Sequence, residues 1–215
     1  MTVAVGIVAR RSRIDAAREL RHETGAVVTD FENSHVAVLD RLSRRHVDFC
    51  VVLEDDAVPV TGFRFHVKQA LLHAPAPIVG LYLGSETHRG TSAAAARTAR
   101  DRDLAWITAD CLTTTVGYAI RIRLIGPLLA DIAGRDGNLA LRITRWAQQH
   151  HHPICYTAPS LLDRTAPPPL DCGLGRRSTA KAWHVGTRTT WDTTAVPLGY
   201  CPGWSQPAEQ ENHHG

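Results

Sequence analysis

Residues Asp48 to Leu53, DFCVVL, form a nearly unbroken apolar run that ends in three acids, Glu54, Asp55 and Asp56. A run this short and this apolar reads as a strand buried on both faces, the pattern of a parallel sheet. Parallel strands cannot be joined by a tight turn; each needs a crossover, usually a helix. The flanking sequence supplies such crossovers. Val3 to Val8 is a β-branched run that predicts a first strand, and Ser12 to Glu23 carries Ile14, Ala17 and Leu20 at helical spacing behind an N-cap serine. Ala26 to Thr29 predicts a second strand, and after Asn33 and Ser34 the residues Val36, Leu39 and Leu42 share one helical face. Pro59 and Gly62 end the central strand, Phe63 to His73 predicts the next helix, and Ile78 to Leu83 predicts another buried strand. This alternation predicts an α/β sandwich with a parallel sheet flanked by helices.

The remainder of the chain is less regular. Gly84 to Asp103, rich in Gly, Ser, Ala and charge, predicts a long mobile loop with AAAAR as a candidate helical piece. Leu112 to Ile120 predicts a strand, Leu124 to Ile132 and Asn138 to Gln149 predict helices, and Ile154 to Thr157 predicts a last short strand. Prolines and glycines dominate from Arg164, and no periodicity is visible beyond Val185. The expected organisation is one domain over 1–185 and an irregular or disordered tail over 186–215. A chain of 215 residues, 44% hydrophobic, can fill one continuous core.

Charge and cysteine usage narrow the classes. A net charge of +3 is too weak by itself to mark a nucleic-acid binder. Lys68 and Lys181 are the only lysines, so the basic side chains are nearly all arginine. The planar guanidinium fork suits phosphate, although a biased composition gives the same excess. Cys50, Cys111, Cys155, Cys172 and Cys201 contain no C-x-x-C pair, which argues against a disulfide framework or a structural zinc site. The segment MTVAVGIVARR lacks the parts of a signal peptide, and no stretch approaches the roughly 18 apolar residues of a membrane span. The expectation is a soluble, cytoplasmic protein.

The acids carry the chemistry. In open α/β sheets ligands bind outside the carboxyl ends of the strands, where Glu54, Asp55 and Asp56 fall. Three adjacent carboxylates repel one another unless a cation sits among them, and a divalent metal is the simplest such cation. Mn²⁺ or Mg²⁺ takes carboxylate, water and phosphate oxygens and would neutralise charge on a departing nucleoside diphosphate. The same residues also suit a solvated turn closed by Pro59.

The surrounding segments bear on that choice. VVLEDDAVPVTGF at Val51 to Phe63 resembles the strand-plus-acid signature of glycosyltransferase family 25 and of related small glycosyltransferases, many of them encoded by bacteriophages. Asn33-Ser34-His35 resembles that family's Ser-His step, and Thr115 to Ile120, TVGYAI, its Gly-Tyr strand. Asp136 ahead of Leu139 and Trp146 resembles its Asp before a helix, and Tyr156 to Leu162, YTAPSLL, its closing aromatic-x-x-Pro-Ser-Leu segment. The chain departs from the pattern at Asp163-Arg164, where family members often have Gln or His, and at Arg121-Ile122-Arg123, where Ser-Arg is usual. The resemblance implies a GT-A-like (Rossmann-type) fold with a mixed, mostly parallel sheet flanked by helices, a nucleotide-sugar donor, and Mn²⁺ or Mg²⁺ held by Asp56 with help from Glu54.

Individual roles follow as expectations, each with an ordinary structural alternative. Asp136 is the candidate base that takes the acceptor hydroxyl's proton, or else a helix N-cap. Val8, Arg10 and Arg11 close the first strand, where the arginines would meet a phosphate or base, or else open a solvated loop. Asp30 ends the second strand as a candidate ribose contact, and His35 either orients a donor oxygen or caps a turn. Glu54 and Asp55 complete the donor set; His184 is a candidate late-chain metal ligand or a structural histidine. His150-His151-His152 reads as a solvated helix end.

The acceptor is expected to be a glycan or a hydroxylated DNA base, with Arg89, Arg97, Arg100 and Arg102 as candidate phosphate contacts in the second case. A metal-dependent nuclease or phosphotransferase, and a non-catalytic sugar-nucleotide-binding module, are the competing functions. Against the former, no P-loop, Gly-x-Gly-x-x-Gly or second acidic motif is visible.

Overall fold

The computed structural model describes residues 1–84, 89–132, 137–165 and 181–199. Ten strands and six helices are named in chain order: β1 Val3–Val8, α1 Ile14–Thr24, β2 Val28–Asp30, α2 His35–Ser43, β3 Phe49–Glu54, β4 Ala57–Pro59, α3 Phe63–Leu72, β5 Ile78–Gly80, α4 Arg89–Asp101, β6 Trp106–Ala109, β7 Gly117–Arg121, α5 Ile122–Ile132, α6 Leu139–Gln149, β8 Ile154–Thr157, β9 Leu162–Arg164 and β10 Ala195–Pro197. Eight strands form one sheet in the order β10-β6-β8-β5-β7-β3-β1-β2, while β4 and β9 make a separate ribbon. β1, β2 and β3 are mutually parallel; β7 runs against both β3 and β5, and β8 runs with β5. β6 opposes β8 and lies parallel to β10. The α/β architecture legible in the strand-helix alternation is thus present, as a single Rossmann-like domain with a mixed, mostly parallel sheet.

Helices cover both faces, so the sheet is buried on both sides. α2, α4, α5 and α6 pack Leu39, Ala99, Ile125 and Ile143 against one face. α1 and α3 pack Leu20, Phe63 and Val67 against the other. Every residue of β3 from Phe49 to Leu53 is buried, which explains why that strand reads as continuous apolar sequence. Each such side chain contributes about 1.5–3 kcal/mol of burial.

Several expectations need correction. Ser12 does not cap α1: a 3-10 turn over Arg11–Arg13 precedes the helix, whose N-cap residue is Arg13. Ser34 does cap α2, accepting from the Ala37 N–H at 3.1 Å. The long loop expected over Gly84–Asp103 contains α4. Alanine has the highest helix propensity, and Ala93, Ala95, Ala96 and Ala99 are buried at helical spacing while Arg97 and Arg100 face solvent. Beyond Val185, where no periodicity is visible, β10 still adds to the sheet edge. Trp191 is buried against Trp106 at 5.0 Å between ring centroids, and the Trp106 Nε1–H donates to the Asp192 carbonyl at 2.7 Å. Those residues carry no period because one tryptophan and three strand residues hold them. Among the described residues no helix is long and apolar enough to cross a membrane.

Candidate functional site

Strand register assembles the site. Val8 pairs with Asp30 on one side and with Glu54 on the other, so the ends of β2, β1 and β3 lie abreast. Neighbouring strands are about 4.8 Å apart, which brings residues far apart in sequence into a row of three at the carboxyl edge of the sheet. Val8 itself turns its side chain into the core. A donor at this edge would therefore meet its backbone rather than its side chain.

Each acid has its own cationic or hydroxyl partner. Asp55, 6% exposed, accepts from the Arg10 backbone N–H at 2.8 Å and from Arg10 Nη2 at 3.1 Å, with Arg13 Nη1 at 3.6 Å. The hydrogen bond to Asp55 raises the pKa of Arg10. Asp56, 1% exposed, accepts from Arg164 Nε at 2.6 Å through Oδ2, while its Oδ1 is buried without a hydrogen-bond partner. Burial raises the Asp56 carboxyl above its ordinary value against the pull of Arg164, and the charges of Glu54 and Asp55 add to the rise. Arg164 reaches Asp56 because β9 pairs with β4 in a register that sets it opposite Ala57.

Glu54 sits in a different network. Thr115 Oγ1 donates to its Oε1, and His35 Nε2 lies 3.4 Å from the same atom. His35 Nδ1 is 3.3 Å from the buried Tyr118 hydroxyl. Since a carboxylate only accepts, a neutral His35 carries its proton on Nε2 and leaves Nδ1 to accept from Tyr118. Burial would raise the Glu54 carboxyl, but the hydrogen bonds from His35 and Thr115 outweigh it and hold the pKa below the usual value. Tyr118 is pushed up by burial, then by Glu54, and stays protonated.

The other expected site residues are placed as follows. Asp30 Oδ2 accepts from the Glu32 and Ser34 N–H groups at 3.1 and 3.0 Å, with Arg41 3.6 Å from Oδ1. Its carboxylate builds the turn into α2. Arg11 is exposed and paired with Glu32. Arg10, with 43% of its side chain exposed, is the cation of the row best placed to meet a ligand. His184 is not brought to the acids. It lies in a cleft with Pro159 and Arg188, and burial followed by the charges of Arg100 and Arg188 lowers its pKa. Two neighbouring guanidiniums disfavour a cation there, against the expected metal ligand. Asp136 lies outside the described residues; the N-cap of α6 is Asn138, which accepts from the Leu141 N–H at 3.3 Å.

The charge argument for a metal changes accordingly. Arg10, Arg13 and Arg164 already compensate Asp55 and Asp56, so repulsion alone does not demand a divalent ion. Among the described residues no group of three or more His, Cys, Asp or Glu side chains is arranged to hold a metal. Mg²⁺, however, is usually bound through one or two carboxylates plus substrate phosphates rather than in an all-protein cage. The buried, partnerless Oδ1 of Asp56 fits one such ligand and Glu54 a second, whereas Asp55 is fully engaged. Arg13, Thr115 and Arg164 were not read from sequence as site residues. The only hint was that Asp163-Arg164 breaks the family pattern. No protein-family model matches the chain, and no curated protein matches it either.

Proposed function

We propose that this chain transfers a sugar from a nucleoside-diphosphate sugar to an acceptor hydroxyl, with Mn²⁺ or Mg²⁺ held by Asp56 and Glu54. The observation that carries the reading is the row of Asp30, Val8 and Glu54 at the carboxyl edge of the parallel strands, continued by Asp56 with its unpaired buried oxygen. Three of the sequence segments that resemble family 25 meet at this point. Glu54 ends β3, His35 starts α2, and Tyr118 of β7 bonds His35. The metal would supply Lewis-acid stabilisation of the diphosphate leaving group. Arg10 would bind a phosphate oxygen at the exposed rim, and His35, oriented by Tyr118, would hold Glu54 ionised. Asp136 remains the candidate base, and a cytoplasmic setting the expected one.

A second reading, sugar-nucleotide binding without turnover, is favoured by one observation: Asp55 is locked by two arginines. Calorimetry separates the readings. Uridine and guanosine diphosphate sugars are titrated with and without Mn²⁺ into wild type and Asp56→Asn, and released nucleotide is assayed with glycan and hydroxymethylated-DNA acceptors. Mn²⁺-dependent binding of one donor, weakened at least about tenfold in Asp56→Asn, is expected, together with transfer to one acceptor. Binding without transfer supports the second reading, and no binding by any donor refutes both.

A further inference from the structure

The carboxylates proposed to hold the metal are already served by a cation of the chain's own. Arg164 Nε donates to Asp56 Oδ2 at 2.6 Å, and Asp56 is 1% exposed. The same guanidinium acts on Glu54: burial raises that carboxyl, the hydrogen bonds from His35 and Thr115 lower it, and the charge of Arg164 adds to the lowering. One positive charge therefore lies within electrostatic reach of both proposed metal ligands. Asp55 is paired with Arg10 and Arg13, so Glu54, Asp55 and Asp56 are matched in number by Arg10, Arg13 and Arg164. The formal charges of these six side chains cancel. A divalent ion added to that set, with every arginine still in place, would stand uncompensated beside largely buried groups, where charges interact more strongly than in water.

Two features distinguish the Arg164–Asp56 pair from a purely structural one. Interior Arg–carboxylate pairs frequently engage both oxygens, and a buried oxygen left unsatisfied is costly. Here Arg164 serves Oδ2, while Oδ1 is buried with no hydrogen-bond partner among the described residues. The two members are also unequally held. Asp56 is fixed in the turn between β3 and β4, where its carbonyl accepts from the Thr165 N–H at 2.8 Å and from Thr165 Oγ1 at 3.3 Å. Arg164 keeps 23% of its side chain exposed, so rotation about its own side-chain bonds carries the guanidinium toward solvent with the β4–β9 register intact. The anion stays in place and the cation is the member able to move.

We infer that Arg164 is an internal counter-ion that competes with the divalent ion for Asp56: it neutralises Asp56 in the metal-free chain and leaves it when the ion binds. The exchange accounts for a metal ligand that is 1% exposed, because the side chain bonded to it is the one that moves. It also keeps the site's charge in balance as the ion enters. Arg164 thereby sets the affinity for metal without being a ligand to it. The role rests on the metal reading proposed above.

The test titrates Mn²⁺, without donor, into the full chain and reads the free ion by electron paramagnetic resonance. Arg164→Gln is expected to bind Mn²⁺ at least about tenfold more tightly than wild type, because the competing cation is gone, and Asp56→Asn in the Arg164→Gln background is expected to lose that gain. An Arg164→Gln affinity within about twofold of wild type, or a gain that survives Asp56→Asn, overturns the inference. A second measurement needs no variant and decides alone if Arg164→Gln fails to fold. Heteronuclear NMR follows the Arg164 Nε–H of the wild-type chain as Mg²⁺ is added. The Thr115 methyl, whose hydroxyl bonds Glu54, reports arrival of the ion, and the Arg188 Nε–H, which donates to the Thr190 carbonyl at 3.1 Å, is the control. Arg164 is expected to shift in step with Thr115 while Arg188 stays still. A Thr115 response with Arg164 unmoved overturns the counter-ion role and leaves the metal reading standing, whereas silence from both ends the metal reading and the counter-ion role with it.

Discussion

Arg164→Met tests the electrostatics on which the site depends. Asp56 is 1% exposed and has one carboxylate oxygen without a partner, so Arg164 Nε, at 2.6 Å, is the cation that stabilises its charge. Removing one member of a buried pair leaves an uncompensated charge and costs about 3–5 kcal/mol, a large share of the roughly 5–15 kcal/mol that holds a domain folded. With a urea m-value near the upper end of about 1–3 kcal/mol/M, the unfolding midpoint should fall by about 1–2 M at neutral pH. The pH dependence gives an independent sign. Burial already raises the Asp56 carboxyl in the folded state, so the folded chain binds more protons there than the unfolded one. Its contribution to stability therefore falls as pH rises from the unfolded value through the folded one. Without Arg164 the opposing pull is gone, the folded value climbs further, and the loss extends to higher pH. The variant should recover part of its midpoint when urea titrations at about pH 7 are repeated at about pH 5. Asp56→Leu combined with Arg164→Met should return close to wild type, because replacing both partners by apolar groups removes the stranded charge. A single variant whose midpoint stays within about 0.3 M of wild type at both pH values would refute the claim that Asp56 is a desolvated anion.

Three further outcomes are expected. Gly117→Ala places a Cβ 2.0 Å from Leu162 Cδ1, at the start of the strand that carries Arg164, and should cost about 1–3 kcal/mol in urea unfolding and weaken donor binding as well. His35→Ala removes a donor to Glu54; because Glu54 has a lowered folded pKa, its stabilisation is present above the unfolded value and lost as pH falls, so the variant should be less stable than wild type near neutral pH and the gap should shrink as urea titrations are taken to acid pH. The buried Cys50 and Cys155 thiols, both pushed up to about 12 by desolvation, should resist iodoacetamide in the native chain and react in urea, as read by peptide mass mapping.

Much of the fold is legible because it rests on local periodicity. β1, α2, β3, α3, α6 and β8 fall close to where apolar spacing predicts them, and Ser34 caps α2 as its residue type suggests. α4 is legible only as the AAAAR piece, because a helix of alanines and arginines lacks the large apolar residues that mark a buried face. The three-residue strands β4, β9 and β10 are too short to carry a period at all. β6 was missed too: its first half is buried and its second is not, so it shows neither alternation nor a full apolar run. Of the expected site residues, Glu54, Asp55, Asp56, Arg10 and His35 lie together at the carboxyl edge of the sheet, while the Asp30 carboxylate builds a turn and the Val8 side chain enters the core.

The amino-acid order alone determined that three acids stand just past the most buried strand, since strand burial and strand end are both local properties of DFCVVLEDD. It could not determine where each carboxylate turns. Asp55 faces Arg10 and Arg13, Asp56 faces Arg164 across the β4–β9 ribbon, and Glu54 faces His35 and Thr115. Those partners lie between 19 and 108 residues away along the chain, as the separations of His35 from Glu54 and of Arg164 from Asp56 show. Sheet register brings them together, and register is a property of the assembled structure: it sets which cation meets which anion, and hence which carboxylate oxygen is left without a hydrogen-bond partner.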